Sequence, residues 1–296
     1  MTKFYFLKSI ILILLPLASY SQAVNIELQK MHDEDQSSRF ETNIDWTILV
    51  KQDSLRELRV YELMKTGQIV TGKDYFNSAM ICQHGRDTIA SAYAVQFMRK
   101  ALELDSTVNR WLLAAAIDRD LQRRGKPQIY GTQFGSGPPY GTKVGTWVRY
   151  KIDTTEVTAE ERKYYGVQTL AKQLEYERIL NMKSILKFYS ESKSLHKSVN
   201  LIKSEKKKGY NATYLITPDE INTFGYALVA EKKLNDALEI FILNTKIYPN
   251  NANAFDSLGE CLLLIGRKEE GINAYKKSLE LNSKNKNANE IINGTK

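Results

Sequence analysis

The sequence of 296 residues contains few of the side chains from which metal sites and disulfides are built. It has two cysteines, Cys82 and Cys261, and three histidines, His32, His84 and His196. Neither residue type has the spacing of zinc ligands, so we predict no metal site, and no pattern indicates a cofactor. The two cysteines lie in separate apolar helical segments, which predicts two buried free thiols.

Prolines and familiar catalytic motifs are also scarce. Six prolines and 16 glycines argue against long disordered tracts, while 43% hydrophobic residues are enough to bury a core. Residues 22–182 contain no G-x-S-x-G, H-E-x-x-H or S-x-x-K motif. The sequence therefore does not indicate a serine hydrolase, a zinc protease or a β-lactamase of the usual kind.

Arginine is absent from the most basic segment of the chain. Residues 183–210 hold eight lysines and two acidic residues, and the formal net charge of the whole chain is +8. A basic segment can bind nucleic acid or an anionic membrane, but forked contacts to phosphate favour arginine. We interpret the segment as a solvated lysine face and predict no nucleic-acid partner.

The first residues have the pattern of a secretory signal peptide. Lys3 and Lys8 lead into an uncharged apolar stretch at residues 9–17, and we expect cleavage after Ser21 or after Ala23. The apolar stretch is shorter than the roughly 20 residues that span a bilayer, and no cysteine stands at its end for lipid attachment. We expect a periplasmic or secreted protein without a stable membrane anchor. An uncleaved signal anchor is the alternative.

Apolar residues recur at helical spacing along most of the chain, which predicts a mainly α fold. Three of the predicted helices cover residues 24–42, 46–64 and 77–104. The third would carry His84 on its apolar stripe, and a fourth would end before Gly125. Residues 128–134 and 146–152 are rich in aromatic and β-branched residues, so we predict a small β-hairpin there.

The last third of the chain contains a repeat with a period of 34 residues. The aligned pairs are Gly225 with Gly259, Leu228 with Leu262, Ala237 with Gly271, and Phe241 with Tyr275. This is the period of tetratricopeptide repeats, which stack helix pairs into an α-solenoid. Small residues at the first and third pairs let helices approach closely, and the aromatic pair fills the space between neighbouring repeats.

Short motifs within this repeat add a more specific resemblance. They are Asn222-x-x-Gly225-Tyr226, Phe241-x-Leu243-Asn244, Pro249-Asn250 and Asp256-Ser257-Leu258-Gly259-Glu260. With them, residues 218–290 resemble a paired tetratricopeptide module at the C-termini of exported bacterial proteins, often behind an esterase or β-lactamase-like domain. The resemblance implies a helical fold that binds a protein or peptide on a concave face. Asn222, Asn244 and Glu260 would contact that partner or tie adjacent helices together.

Polar side chains lie on faces of the N-terminal helices that should be apolar. They are Asp35, Arg39, Gln83, His84, Asp87, Asp118 and Arg119. Because burying such groups unpaired would cost several kcal/mol, they must pair with one another, with the loop at residues 128–134, or with a ligand.

The same residues form a series of motifs. In chain order these are Asp35-Gln36-x-x-Arg39, Gln83-His84-x-x-Asp87, Asp118-Arg119, Gln128-x-Tyr130-Gly131-Thr132-Gln133-Phe134, and Glu161-Arg162. With them, residues 25–182 resemble a family of exported bacterial proteins described as a domain of unknown function. Residues 67–72, GQIVTG, depart from the Gly-Trp-Pro turn of that family. The resemblance implies a common fold and no mechanism.

Two kinds of function follow from the sequence. In the first, the polar network locks a helical module, and the repeats recruit a protein partner. In the second, the protein is a hydrolase or lyase in which His84 is the general acid or base, since imidazole titrates near neutral pH. Asp118 or Asp87 would orient it, and Arg119 or Arg39 would hold an anion. The remaining pocket residues would be Asp35, Gln83, Gln128, Tyr130 and Gln133. A site that binds a ligand without catalysing a reaction is intermediate between the two.

These patterns divide the chain into five parts. They are a signal peptide at 1–21, a helical domain with a β-hairpin at 22–182, a basic capping helix and linker at 183–217, two tetratricopeptide repeats at 218–290, and a tail at 291–296. Because two repeats leave one side of the first repeat open, we expect a helix at 183–207 to cover that side.

Overall fold

The computed structural model describes residues 23–294. The predicted signal peptide and the last two residues of the tail therefore lie outside the described residues. Most of the described chain is helical, with four strands of two residues each, which confirms the mainly α prediction. No helix in the described part is long and apolar enough to cross a membrane.

The described residues form two compact units. Unit 1 comprises residues 23–143 and 148–173, and unit 2 comprises residues 144–147 and 174–294. The division falls within a helix, after Gln173, whereas the sequence analysis placed it after residue 182.

Unit 1 is built mainly of helices. They are α1 (Ile26–Ser37), α2 (Trp46–Lys65), α3 (Gly72–His84), α4 (Thr88–Leu104), α5 (Trp111–Arg123), α6 (Ala159–Tyr164) and the first residues of α7 (Leu170–Leu180). Capping residues begin several of them: the Asn25 side chain accepts from Leu28 N, and Thr71 and Asp74 form a capping box at α3. The core packs α1 to α5 together through side chains such as Leu28, Leu63 and Met98.

Residues 77–104 do not form the single helix that we predicted. Helix α3 ends at His84, and Asp87 starts α4 by accepting hydrogen bonds from the backbone N–H groups of Ile89 (2.9 Å) and Ala90 (2.8 Å). The turn needs Gly85, because a Cβ there would lie 2.3 Å from the Ala90 Cβ. The two helices pack against each other, so the predicted stripe through His84 is broken at this turn.

Two further predictions about faces and strands need correction. In α2, which corresponds to the helix predicted at 46–64, Leu55 and Leu58 are exposed, although their apolar side chains led us to expect them on the buried face. The β-hairpin exists but is short: β1 (Phe134–Gly135) pairs antiparallel with β2 (Val148–Arg149). Residues 128–133 form a loop because their backbone N–H groups bond mainly to side chains of unit 1 rather than to a strand.

Unit 2 is also helical. Its elements are the last part of α7, β3 (Lys183–Ser184), α8 (Ile185–Ser192), α9 (Leu195–Lys208), β4 (Tyr214–Leu215), α10 (Pro218–Ala230), α11 (Leu234–Ile247), α12 (Ala252–Leu264), α13 (Lys268–Leu281) and α14 (Lys286–Gly294). Strands β3 and β4 pair in parallel. The single helix predicted at 183–207 is two helices, because Lys193 takes a left-handed conformation with φ 51°. Helix α8 packs on α10, α9 packs on α11, and the eight lysines of this segment are exposed.

The last helices repeat their contacts with a period of 34 residues. A Cβ on Gly225 would lie 2.5 Å from the Phe241 ring, and one on Gly259 would lie 2.9 Å from the Tyr275 ring. These glycines let α10 approach α11, and α12 approach α13. Cys82 in unit 1 and Cys261 in unit 2 are buried free thiols, and burial raises the pKa of each.

Polar side chains connect the helices of this repeat. Asn244 donates to the side chain of Asn222 over 2.8 Å, which joins α11 to α10. The Tyr226 hydroxyl donates to the Glu260 carboxylate over 2.7 Å and so joins α10 to α12. The structure therefore gives all three polar residues named in the sequence analysis a role in connecting helices.

Candidate functional site

A buried carboxylate and a histidine form the centre of the candidate site. Asp35 on α1 is fully buried, and Nδ1 of His84 at the end of α3 lies 2.9 Å from its Oδ2. The His84 side chain keeps 19% of its exposure, and its Nε2 has no hydrogen-bond partner among residues 23–294. With Nδ1 directed at the carboxylate, Nε2 is the ring nitrogen that is left to accept or donate a proton.

His84 and Arg39 hold the Asp35 carboxylate in its charged form. Arg39 donates to Asp35 Oδ1 over 2.9 Å and to Asp53 Oδ2 over 2.7 Å, and Arg56 donates to Asp53 over 3.1 Å. Burial acts to raise the pKa of Asp35, but the hydrogen bond and charge of His84, together with the charge of Arg39, lower it below its ordinary value. Asp35 is therefore an anion facing the imidazole.

Asp118 does not orient His84, although it was one of the two residues that we predicted for this role. Its fully buried carboxylate accepts hydrogen bonds from the N–H groups of Ile129, Tyr130 and Thr132 and from the Thr132 hydroxyl, each 2.8 Å long. Burial raises the pKa of Asp118, and these four hydrogen bonds oppose that rise. Asp118 holds the loop at residues 128–134, because its carboxylate on α5 accepts from backbone N–H groups that are not hydrogen-bonded to a neighbouring strand.

Asp87 also has a structural role. It caps α4 and is exposed, since the break after His84 turns it away from the end of α3. Arg123 on α5 holds the same turn, because its guanidinium donates to the backbone carbonyls of Gly85 and Asp87. The segment CQHGRD is thus a helix–helix turn that presents His84 at a helix end.

Three glutamines that we predicted to line a pocket hold the backbone instead. Gln83 and Gln133 both donate to the carbonyl of Ala115, over 3.2 and 3.1 Å. Gln128 donates to the Tyr150 carbonyl over 2.7 Å, and all three glutamines are buried. Gln83 nevertheless brings the end of α3 against the middle of α5.

Tyr130 is likewise part of the scaffold. Its hydroxyl donates to the Glu161 carboxylate over 2.6 Å, and its own carbonyl accepts from Arg162 (2.6 Å) and from Gln173 (2.7 Å). Gly131 is required beside it, because a Cβ there would lie 2.2 Å from the Gln173 side chain. These contacts secure the loop at residues 128–134 from the side opposite Asp118.

Arg119 on α5 lacks a partner. Its buried Nε has no hydrogen bond, and its other guanidinium nitrogens have none among the described residues. Burial lowers the pKa of Arg119 to about 10; the positive charges of Arg123 and Arg39 act in the same direction, and Tyr140 opposes them. Arg119 is partly buried, and a partly buried cation among other cations is costly unless something negative approaches it.

Two charged residues of this network, Asp53 and Arg56, were not predicted from the sequence, although a signal was present. The buried face of α2 runs Leu49, Asp53, Arg56, Val60 and Leu63, in steps of three and four. Asp53 and Arg56 interrupt this apolar stripe. A charged residue on an apolar stripe is the same signal that identified the candidate residues on the other helices.

No protein-family model matches the chain, and no curated protein matches it. Both resemblances therefore stay predictions. Among residues 23–294, no group of three or more metal-binding side chains could hold a metal ion.

Proposed function

We propose that unit 1 carries an acid–base catalytic site in which His84 is the general acid or base. The observation that carries this proposal is the contact between Asp35 and His84 Nδ1, with Nε2 left unbonded at a partly exposed ring. Asp35 is the positioning residue, because it fixes the tautomer and the direction of the ring and stabilises the imidazolium that forms on protonation.

The surrounding contacts support this reading over a purely structural network. Several buried side-chain atoms lack a partner, but Arg119 is the one charged residue among them whose side chain makes no hydrogen bond to any residue from 23 to 294. The Cys82 thiol, two positions before His84, does not compete as a nucleophile, because it is fully buried and burial raises its pKa. His84 would act on water in a hydrolysis, or on a substrate proton in an elimination.

The experiment uses the fact that the chain has only three histidines. Mass spectrometry after brief carbethoxylation should find His84 modified, with exposed His196 as the reactive reference. Among small anionic esters and hydroxy acids, His84→Asn should reduce turnover about 100-fold or more, and His196→Asn should leave it unchanged. Asp35→Asn should alter the pH profile of turnover. A His84 ring that resists modification while His196 reacts would contradict the proposal.

We also propose that unit 2 binds a protein partner. Helices α10 and α12 lie side by side, and exposed Tyr226 and Leu264 lie on them with Glu260. This repeated helical face, 34 residues per step, supports a recruitment role. Crosslinking to proteins exported by the same cell should capture a partner that Leu264→Glu loses and Lys277→Glu on α13 retains. Equal capture by both variants would count against it.

A further inference from the structure

One row of α5 faces the end of α3. Ala115, Arg119 and Arg123 are spaced four residues apart, so they share a helix face. Both ends of the row contact the end of α3: the Ala115 carbonyl accepts from Gln83, and Arg123 donates to the Gly85 carbonyl. Arg119 lies between these two contacts on the same face of α5.

Apart from Arg119, the charged side chains around the end of α3 are mostly paired with one another. Asp35 and Asp53 are held by Arg39, and the carboxylates that act on Arg123 are Asp87, Glu57 and Asp120. The groups whose charges act on the pKa of Arg119 are Arg123 and Arg39, which lower it, and Tyr140, which raises it; no carboxylate is among them. The guanidinium therefore has a full set of donors and no acceptor within the described chain.

A second donor lies near Arg119. Gln122 on α5 donates to the hydroxyl oxygen of Tyr140 over 2.8 Å, which leaves the phenol hydrogen free to donate. No acceptor for it is found among residues 23–294. Gly135 makes room for this ring, because a Cβ there would lie 2.1 Å from it. A guanidinium and a phenol that both lack acceptors fit a ligand rich in acceptor oxygens.

We infer that Arg119 and Tyr140 receive the oxyanion group of a small ligand, a carboxylate or a phosphate, beside His84. The inference names the substrate class of the proposed catalytic site, and it rests on that proposal for the reaction, although binding alone can be measured without it.

The test measures anion binding to the mature protein by thermal shift and by calorimetry, at pH 7. The probes are inorganic phosphate and succinate, each compared with chloride at equal ionic strength to separate binding from screening. At least one probe should raise the melting temperature. Arg119→Gln should weaken binding about tenfold or more, as expected for the loss of a charge-assisted hydrogen bond. Tyr140→Phe should weaken it less.

The matched control is Arg124→Gln. Arg124 lies on the same helix, but it is exposed and already paired with Asp120, so its loss should leave binding unchanged. Arg119→Lys keeps the charge without the fork and serves if the glutamine variant is unfolded. Without any anion, Arg119→Gln should melt no lower than the parent protein, because it removes a partly buried cation that has no counter-ion. A lower melting temperature would point to a structural role instead.

The outcomes separate this inference from the catalytic proposal. His84→Asn should keep the anion affinity while it loses turnover. Anion binding that Arg119→Gln leaves intact, or no response to phosphate or succinate beyond that to chloride, would overturn the inference, even if His84 proved catalytic. Binding that depends on Arg119 in a protein whose His84 is inert would leave the inference standing without the enzyme.

Discussion

Replacement of Asp118 by asparagine should release the loop at residues 128–134. The carboxylate receives two hydrogen bonds on each oxygen: Ile129 and Tyr130 donate to Oδ1, and both Thr132 donors reach Oδ2. Asparagine keeps one acceptor oxygen and turns an NH₂ group toward two donors. The substitution therefore removes half of these hydrogen bonds and places donors against donors at a fully buried site.

The magnitude follows from the chemistry of the lost contacts. A hydrogen bond to a charged group contributes about 1.5–3 kcal/mol, so losing two should cost about 3–6 kcal/mol of local stability. The carboxyl group also loses part of its burial penalty on becoming neutral, which places the expected value at the lower end.

Amide hydrogen exchange is the appropriate assay, because it reports the opening of individual segments. Exchange at the amides of Ile129, Tyr130 and Thr132 should accelerate strongly in Asp118→Asn at neutral pH. Glu103→Gln on the surface of α4 removes a negative charge from an exposed side chain paired with Lys100 and should leave these amides unchanged. If the loop amides of Asp118→Asn stay as protected as those of the parent, the proposed anchoring role is wrong.

Two further substitutions test the network and the repeat. Because the folded-state pKa of Asp35 is lowered, its ion pairs stabilise the protein fully above the unfolded carboxyl pKa of about 4, and this contribution is lost as the pH falls through the folded-state pKa. The melting temperature of Asp35→Asn should therefore fall less in acid than that of the parent protein. Parallel curves of melting temperature against pH would refute this. Gly225→Ala should destabilise the fold by about 1–3 kcal/mol in urea, because its Cβ would lie 2.5 Å from the Phe241 ring. Gly294→Ala, with open space around it, should have little effect on this stability. Equal stabilities of the two variants would contradict the close contact at Gly225.

The break between α3 and α4 explains how a correct periodicity misled the helix assignment. The steps of three and four continue from Ile81 across Gly85 to Met98 because both helices turn an apolar face to the same core. The local signal was the cap: Asp87 before Thr88 is a typical N-cap, and glycine before it permits the turn. A stripe reports burial and does not reveal that the chain has reversed direction.

The sequence identified individual residues of the site, but it did not show which of them contact each other. Asp35, His84 and Arg119 were each identified because a polar group on an apolar stripe needs an explanation. Asp118 and Asp87, the two partners predicted for His84, were both wrong, since nothing local distinguishes them from Asp35. Asp35 and His84 are separated by 49 positions in the chain, and their meeting depends on how α1 packs against α3.

The sequence by itself determined that the chain is helical, that two glycine–aromatic pairs recur at a period of 34, and that certain polar groups must be buried. These properties follow from side-chain spacing within one helix or one repeat, and hence from local chemistry. Only the tertiary structure decided that Asp35 meets His84, that Asp118 holds a loop, and that Arg119 lacks a counter-ion. Those pairings arise where separate helices pack, and packing selects one partner among several carboxylates that local spacing leaves equivalent.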